Sequence, residues 1–360
     1  MKALFIGGTG TISTAISRLV LEQGWELYLL NRGSRSSELK AADKQGGLKH
    51  GMLKHGMLTE VACDIRAESE ESVHKKVLAA LGGKGRFDVV ADFIAYVPEH
   101  VAKDFAVFRD LCDQYFFISS ASAYHKPPAS HIITEGTSLA NPFWQYSRDK
   151  IACEEFLAAR RREDGFPVTI IRPSHTYDER SIPLGVHGKN GSWQVAKRML
   201  EGKPVIIHGD GTSLWTMTHN TDFAAAFAGL MGNIHAIGEA VQITSDESLT
   251  WNQIYLSIAG ALDVPLTGVH ISSEFLARAG AADGYDFTGT LIGDKANSVV
   301  FDNAKLKRLV PGFCARVRFD QGIRQTIAHI LTHRECQKDD PEFEAWCDRV
   351  IAANRQAVTA

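Results

Sequence analysis

The chain reads as an α/β protein built on a doubly wound parallel sheet, and three observations predict it. Ala3 to Ile6 is a continuous apolar run, the pattern of a strand buried on both faces of a parallel sheet. A glycine-rich turn, Gly7-Gly8-Thr9-Gly10-Thr11-Ile12, joins that run to helical periodicity at Ile12, Ala15, Ile16, Leu19 and Val20. Beyond these, apolar strands and amphipathic helices alternate through about residue 172, the arrangement that winds helices onto both faces of one sheet.

Gly24 stops the first helix, and Trp25 to Leu30 forms the second strand, completing a βαβ unit. Then follow strands at Val61 to Ile65, Val89 to Ile94, Tyr115 to Ser119 and Val168 to Arg172, with helices near 70–81, 99–112 and from Trp144 onward. Beyond Pro173 the pattern loosens. Gly185 to Ser192 is rich in glycine and polar residues, Val195 to Leu200 is helical, and Val205 to Ile207 runs into the turn Gly209-Asp210-Gly211. An apolar helix at Phe223 to Met231 and a strand at Val241 to Thr244 resume the alternation. We therefore expect a sheet domain over 1–175, completed by about 212–245, and a smaller C-terminal lobe from 176–211 and 246–330. A charged helical tail over 331–360 carries Trp346 as its docking anchor.

Composition sets the class. With 360 residues, 44% apolar and 22% charged, the chain can bury a large core. A formal charge of -3 gives no electrostatic reason to expect a nucleic-acid partner, and no run approaches membrane-spanning length. Six scattered cysteines without CxxC spacing read as reduced thiols of a cytoplasmic protein, and no metal site is expected. LKHGM occurs twice in tandem between Leu48 and Met57; the pair His50 and His55 fixes no metal geometry, so a local duplication in a surface loop is the reading.

The run Trp144-Gln-Tyr-Ser-Arg-Asp-Lys150 carries chemistry. Tyr146 and Lys150 stand four apart on a helix, so phenol and ammonium address one small volume. A neighbouring cation favours phenolate and makes Tyr146 a candidate general base. At the first βα turn, Gly7, Thr9, Gly10, Thr11 and Ile12 offer backbone N–H groups and a helix dipole to a pyrophosphate. Ser13 takes the place of the third glycine in that motif. At the second strand's end, Asn31 and Arg32, followed by Gly33, Ser34 and Arg35, replace the acid that selects a 2'-hydroxyl. That favours NADP(H), with NAD(H) open and adenine stacking the alternative role for Arg32.

With these motifs placed, residues 1 to about 330 resemble the extended short-chain dehydrogenase/reductases, a group with a Rossmann-type fold that includes nucleotide-sugar epimerases and dehydratases. Phe117-Ile-Ser-Ser-Ala-Ser-Ala-Tyr124 is similar to the strand and loop bearing the group's catalytic serine or threonine, which implies Ser120, 26 residues before Tyr146, with Ser119 and Ser122 as alternatives. Asp64-Ile65 matches the adenine-contacting pair, Phe93-Ile94-Ala95 the strand end lining the cofactor, and Pro173 the nicotinamide border. Asp222-Phe223-Ala224 and Phe301 to Lys305 are similar to later landmarks. The resemblance implies hydride transfer, with Tyr146 moving the hydroxyl proton, Lys150 lowering its pKa and holding the ribose, and Ser120 stabilising the developing oxyanion.

Departures from the group concern the substrate. Trp215 stands where nucleotide-sugar members carry an arginine for the substrate pyrophosphate, Leu291-Ile292 stand where a second is expected, and His175 replaces an asparagine. These argue against a nucleotide sugar. Trp215 is expected as a platform for a sugar ring or as core, with Tyr96, Ser122 and His175 as further substrate contacts. Ala121-Ser122 in place of an acidic pair argues against elimination. The Gly-Gly-Thr-Gly start and Asn-Arg-Gly strand end are closer to atypical members, including relatives of chloroplast stem-loop RNA-binding proteins. The reading is an NAD(P)-dependent oxidoreductase or epimerase acting on a secondary hydroxyl or ketone of a carbohydrate-like small molecule. The alternative is a non-catalytic dinucleotide-binding or RNA-associated regulatory module, and a homodimer is left open.

Overall fold

The computed structural model describes residues 1–32 and 56–359. Seven strands form one all-parallel sheet: β1 (Lys2–Ile6), β2 (Glu26–Asn31), β3 (Met57–Ala62), β4 (Val89–Asp92), β5 (Tyr115–Ile118), β6 (Val168–Pro173) and β7 (Ala240–Ile243). Their spatial order is β7-β6-β5-β4-β1-β2-β3, so the direction of winding reverses between β1 and β4. Parallel sheets of this kind bind ligands beyond the carboxyl ends of the strands at that reversal.

Period-two alternation sorts the strands' side chains between two cores. Leu4, Ile6, Tyr28, Leu30, Phe117 and Ile170 face one side, against the helices Glu70–Ala80, Pro98–Phe108 and Gln145–Asp164. Ala3, Phe5, Leu27, Leu29, Phe116 and Ile171 face the other, against the helices Thr11–Glu22 and Asn220–Leu230. Coverage on both faces explains why these strands read as continuous apolar runs. The third strand differs from expectation: it spans Met57–Ala62, ahead of Val61 to Ile65, because it is the sheet's edge and only Val61 of the six is fully buried. Asp64 and Ile65 consequently lie past its end. Arg35, Gly33, Ser34 and most of the tandem LKHGM segment, with His50 and His55, fall outside the described residues.

The C-terminal lobe is assembled from short pairs: Val205–His208 with Gly268–Ile271, Leu214–Trp215 with Leu249–Thr250, and His175–Tyr177 with Met217–His219. Val205–His208 therefore pairs within the lobe and not in the main sheet. Trp251, Tyr255, Phe343 and Trp346 are buried in one continuous core. The tail belongs to that core: its helix, Pro341–Thr359, seats Trp346 against Tyr285 and Phe287, and Arg198 bonds Asp348 at 2.7 Å. Among the described residues, no helix is long and apolar enough to cross a membrane and no cluster of three or more His, Cys, Asp or Glu could hold a metal.

Candidate active site at the strand ends

The first turn is held by constraints that only glycine and serine meet at these positions. Gly7 has φ +79, and a Cβ there would meet Ile94 Cγ2 at 2.5 Å. Gly8 is closed in by Leu29, while Gly10 faces open space save for Ser13 Oγ. Ser13, in place of the motif's third glycine, is buried; its hydroxyl accepts from Gly10 N–H at 2.8 Å and donates to the Gly7 carbonyl at 2.8 Å. Ser17 Oγ donates to the Gly8 carbonyl at 2.9 Å. Two serines therefore brace the loop from inside. The helix Thr11–Glu22 makes its first internal bond from Thr14 N to Gly10 O, so the N–H groups of Thr11 and Ile12 stand ahead of it at the positive end of the helix dipole. Thr9, Thr11 and Ile12 are half-buried along the same mouth.

Around the turn, Asn31 ends β2 and Arg32 leaves it, its side chain 75% exposed and 4.0 Å from Asp64. Asp64 Oδ1 also accepts from Arg66 N and Ala67 N, so part of this carboxylate is committed to its own turn, and Ile65 is buried behind it. Phe93 is half-buried, packing edge-on to Phe5 at 5.3 Å and against Phe227. Ile94 covers Gly7, and Ala95 turns its carbonyl inward. Beneath them a network that sequence reasoning missed joins Arg66 to the buried Asp92 and Asp104, with Tyr115 Oη donating to Asp104 at 2.6 Å. Burial and the adjacent Asp92 push the Asp104 carboxyl well up.

The helix Gln145–Asp164 presents Tyr146 and Lys150 on one face and ends at Gly165, which adopts φ 70, after Arg161 and Arg162 in its last turn. Lys150 Nζ donates to the carbonyls of Ala95 at 2.6 Å and Ile118 at 2.7 Å, and lies 5.6 Å from the Tyr146 ring centre and 4.8 Å from that of the exposed Tyr96. Burial lowers this ammonium to about 8. Burial likewise pushes the Tyr146 phenol up to about 12, with a hydrogen bond from Ser120 acting the other way. Desolvation is the largest influence on both groups.

The three candidate serines differ in position. Ser119 is buried and donates to Glu154, which also carries Arg172 at 2.6 Å. Ser122 is buried between Ser120 Oγ at 2.9 Å and Ser147 Oγ at 2.8 Å. Ser120 alone of the three is half-exposed, and it engages Tyr146. Pro173 is buried at the end of β6, opposite Ile243.

Two expected substrate residues sit differently. Trp215 is 2% exposed and stacks on Trp251 at 6.1 Å, since pairing of Leu214–Trp215 with Leu249–Thr250 turns the indole into the lobe core; it offers no open platform. His175 lies in the strand beside Met217–His219, its Nδ1 buried without a partner among the described residues, and burial together with Lys295 pushes it down to about 3. Lys126, Asp294 and Lys295 gather around Trp215, and sequence reasoning missed all three. Asp294 and Lys295 stood in view after Gly293 as a Gly-Asp landmark, but nothing in the pattern around Lys126 marks it.

A model of the NAD dependent epimerase/dehydratase family matches residues 3–243. The chain belongs to that family. It is 25% identical over 320 residues to 2'-dehydrokanamycin reductase of Streptomyces kanamyceticus, spanning 88% of this chain and 81% of the relative. It is 25% identical over 274 residues to the chloroplast stem-loop binding protein of 41 kDa b of Arabidopsis thaliana, spanning 73% and 64%. Among solved structures, dTDP-glucose 4,6-dehydratase of Bacillus anthracis in complex with NAD superposes with TM-score 0.68 at 19% identity, covering 93% of this chain and 98% of that one. Membership makes the protein an NAD-dependent oxidoreductase or epimerase. The turn fits a dinucleotide: Gly10 faces open space save for Ser13 Oγ, and the N–H groups of Thr11 and Ile12 precede the helix's first internal bond.

Proposed function

We propose that this protein is an NAD(P)-dependent reductase or dehydrogenase of the short-chain type, acting between a secondary hydroxyl and a ketone on a carbohydrate-like small molecule that is not a nucleotide sugar. The observation that carries this reading is the meeting of Tyr146 and Lys150 at the strand ends, where Lys150 is bonded to the Ala95 and Ile118 carbonyls and Ile94 covers Gly7 of the turn. A phenol is protonated at neutral pH and can therefore act as a general acid. Reduction of a ketone requires such an acid.

When bound, the nicotinamide ring supplies or accepts the hydride. The residues of the chain do the rest. As the carbonyl carbon gains a hydride, the oxygen takes the Tyr146 proton, and Ser120 steadies the charge that develops on that oxygen. Lys150, fixed by the Ala95 and Ile118 carbonyls, would hold the nicotinamide ribose with its remaining N–H. The reductase among the relatives supports this direction.

NADP(H) is the favoured cofactor, since the exposed Arg32 can meet a 2'-phosphate; Asp64 beside it would have to yield its share of that guanidinium. Titration of the protein with NADPH and NADH, followed by a screen of keto-sugars for oxidation of the bound cofactor, tests the reading. Saturable binding with turnover on at least one keto-sugar is expected. Absence of binding by either cofactor would refute it and favour the nucleic-acid-associated alternative.

A further inference from the structure

Two positive charges, Lys126 and Lys295, are buried around Trp215 close to the Tyr146 helix. Lys126 is 3% exposed, and among the described residues its ammonium makes no hydrogen bond; its one ionic partner, Asp294, is 3.9 Å away. Lys295, also largely buried, reaches the same carboxylate at 3.3 Å. Both ammoniums stand over the Trp215 ring, at 5.8 and 5.9 Å from its centre. One carboxylate thus serves two cations, leaving the cluster with an excess positive charge. Burying an ammonium without hydrogen bonds costs several kcal/mol unless something else satisfies it.

A second feature marks the same place. Asp294 and Lys295 close a π-helical segment, Thr288–Lys295, an energetically poor conformation that recurs at functional sites. That segment is pinned to the start of the Tyr146 helix. Gly289 lies so close to Trp144 that a Cβ would meet its ring at 2.2 Å, and Asn141 Nδ2 donates to the Gly293 carbonyl at 2.7 Å. Lys295 in turn lies 5.9 Å from the Trp144 ring, which is 4.9 Å from that of Tyr146. The cation pair is therefore linked to Tyr146 through Trp144.

We infer that Lys126 and Lys295 form an anion subsite beside Tyr146 and that the substrate is a carbohydrate bearing a carboxylate or phosphate group. The inference rests on the reading of Tyr146 as the reacting group. An anionic oxygen group is the chemistry that would satisfy both ammoniums at once, whereas neutral hydroxyls compensate charge poorly and an amino sugar would meet like charge.

The test titrates the intact protein, saturated with NADPH, with inorganic phosphate, glucuronate, glucose 6-phosphate, glucose and glucosamine at constant ionic strength, following tryptophan emission and heat. Phosphate and at least one anionic sugar are expected to bind at least tenfold more tightly than glucose or glucosamine, with emission changing because both cations flank Trp215. Glucuronate against glucose 6-phosphate then separates carboxylate from phosphate. Lys126→Gln and Lys295→Gln should each erase the preference while NADPH affinity is unchanged. Lys126→Met, which removes the buried charge altogether, should do the same and unfold at a higher temperature than wild type without anion. No saturable binding of phosphate or either anionic sugar at about 10 mM, equal or tighter binding of glucosamine, or an intact preference in the lysine variants would each overturn the anion subsite. Failure of NADPH to bind, with anion binding preserved, would refute the proposed function and leave the subsite standing.

Discussion

Lys150 Nζ stands 5.6 Å from the centre of the Tyr146 ring, yet its described hydrogen bonds go to the backbone carbonyls of Ala95 and Ile118. The cation is therefore a fixture of the sheet's end, tying β5 and the loop after β4 to the helix that carries the phenol. It titrates from the ordinary 10.5 down to about 8 because it is buried.

This position has a pH consequence. A lysine whose folded pKa is depressed binds fewer protons folded than unfolded between about 8 and 10.5, so its destabilising effect is full below that window and is relieved as pH rises through it. The stability of wild type relative to Lys150→Met should improve by up to about 3 kcal/mol across the window, measured by urea unfolding at each pH. Cofactor affinity should move the other way, falling above about pH 8 in wild type as the ammonium is lost, and be flat with pH in Lys150→Met. A wild-type affinity independent of pH would contradict the role assigned to Lys150.

Ser13 is the second residue with a measurable role. Its hydroxyl is buried and bonds both Gly10 N–H and the Gly7 carbonyl, so Ser13→Ala leaves both without that partner. Loss of about 1–3 kcal/mol of stability is expected in denaturant titration. Ser13→Gly, which restores the motif's usual residue, should also be destabilised, because the bracing bonds and not helix packing set this loop. A variant as stable as wild type would show that the bonds contribute nothing net.

Arg32 discriminates between the two cofactors. With its side chain 75% exposed and Asp64 4.0 Å away, Arg32→Ala should weaken NADPH by about 1–3 kcal/mol and leave NADH nearly unchanged. Asp64→Asn should strengthen NADPH, since it removes the competing acid while keeping acceptor capacity in the turn. Equal losses for both cofactors in Arg32→Ala would indicate adenine stacking.

The sheet was legible because most of its strands are covered on both faces, and that burial writes itself as apolar runs such as Val89 to Ala91. The edge strand Met57–Ala62 was misplaced for the same reason: one side lacks a neighbour, so Thr59 and Glu60 interrupt the signal. The pairing of Tyr146 with Lys150 was readable because spacing along one helix sets it, whereas Ser120 came only from the resemblance of its loop. The Lys126–Asp294–Lys295 cluster was not, since its members are brought together from distant segments by tertiary packing alone. Trp215 shows the same limit from the other side: an aromatic residue looks alike in sequence whether it lines a pocket or, as here, fills a core.

The central claim is that Tyr146 delivers a proton to a substrate carbonyl oxygen during hydride transfer. Its most direct test compares wild type and Tyr146→Phe, under saturating reduced cofactor, in turnover of the keto-sugar that wild type reduces best. The substitution removes one hydroxyl and should lower kcat by about 100-fold or more while cofactor affinity and unfolding midpoint stay near wild type. Turnover by Tyr146→Phe at the wild-type rate would contradict the account.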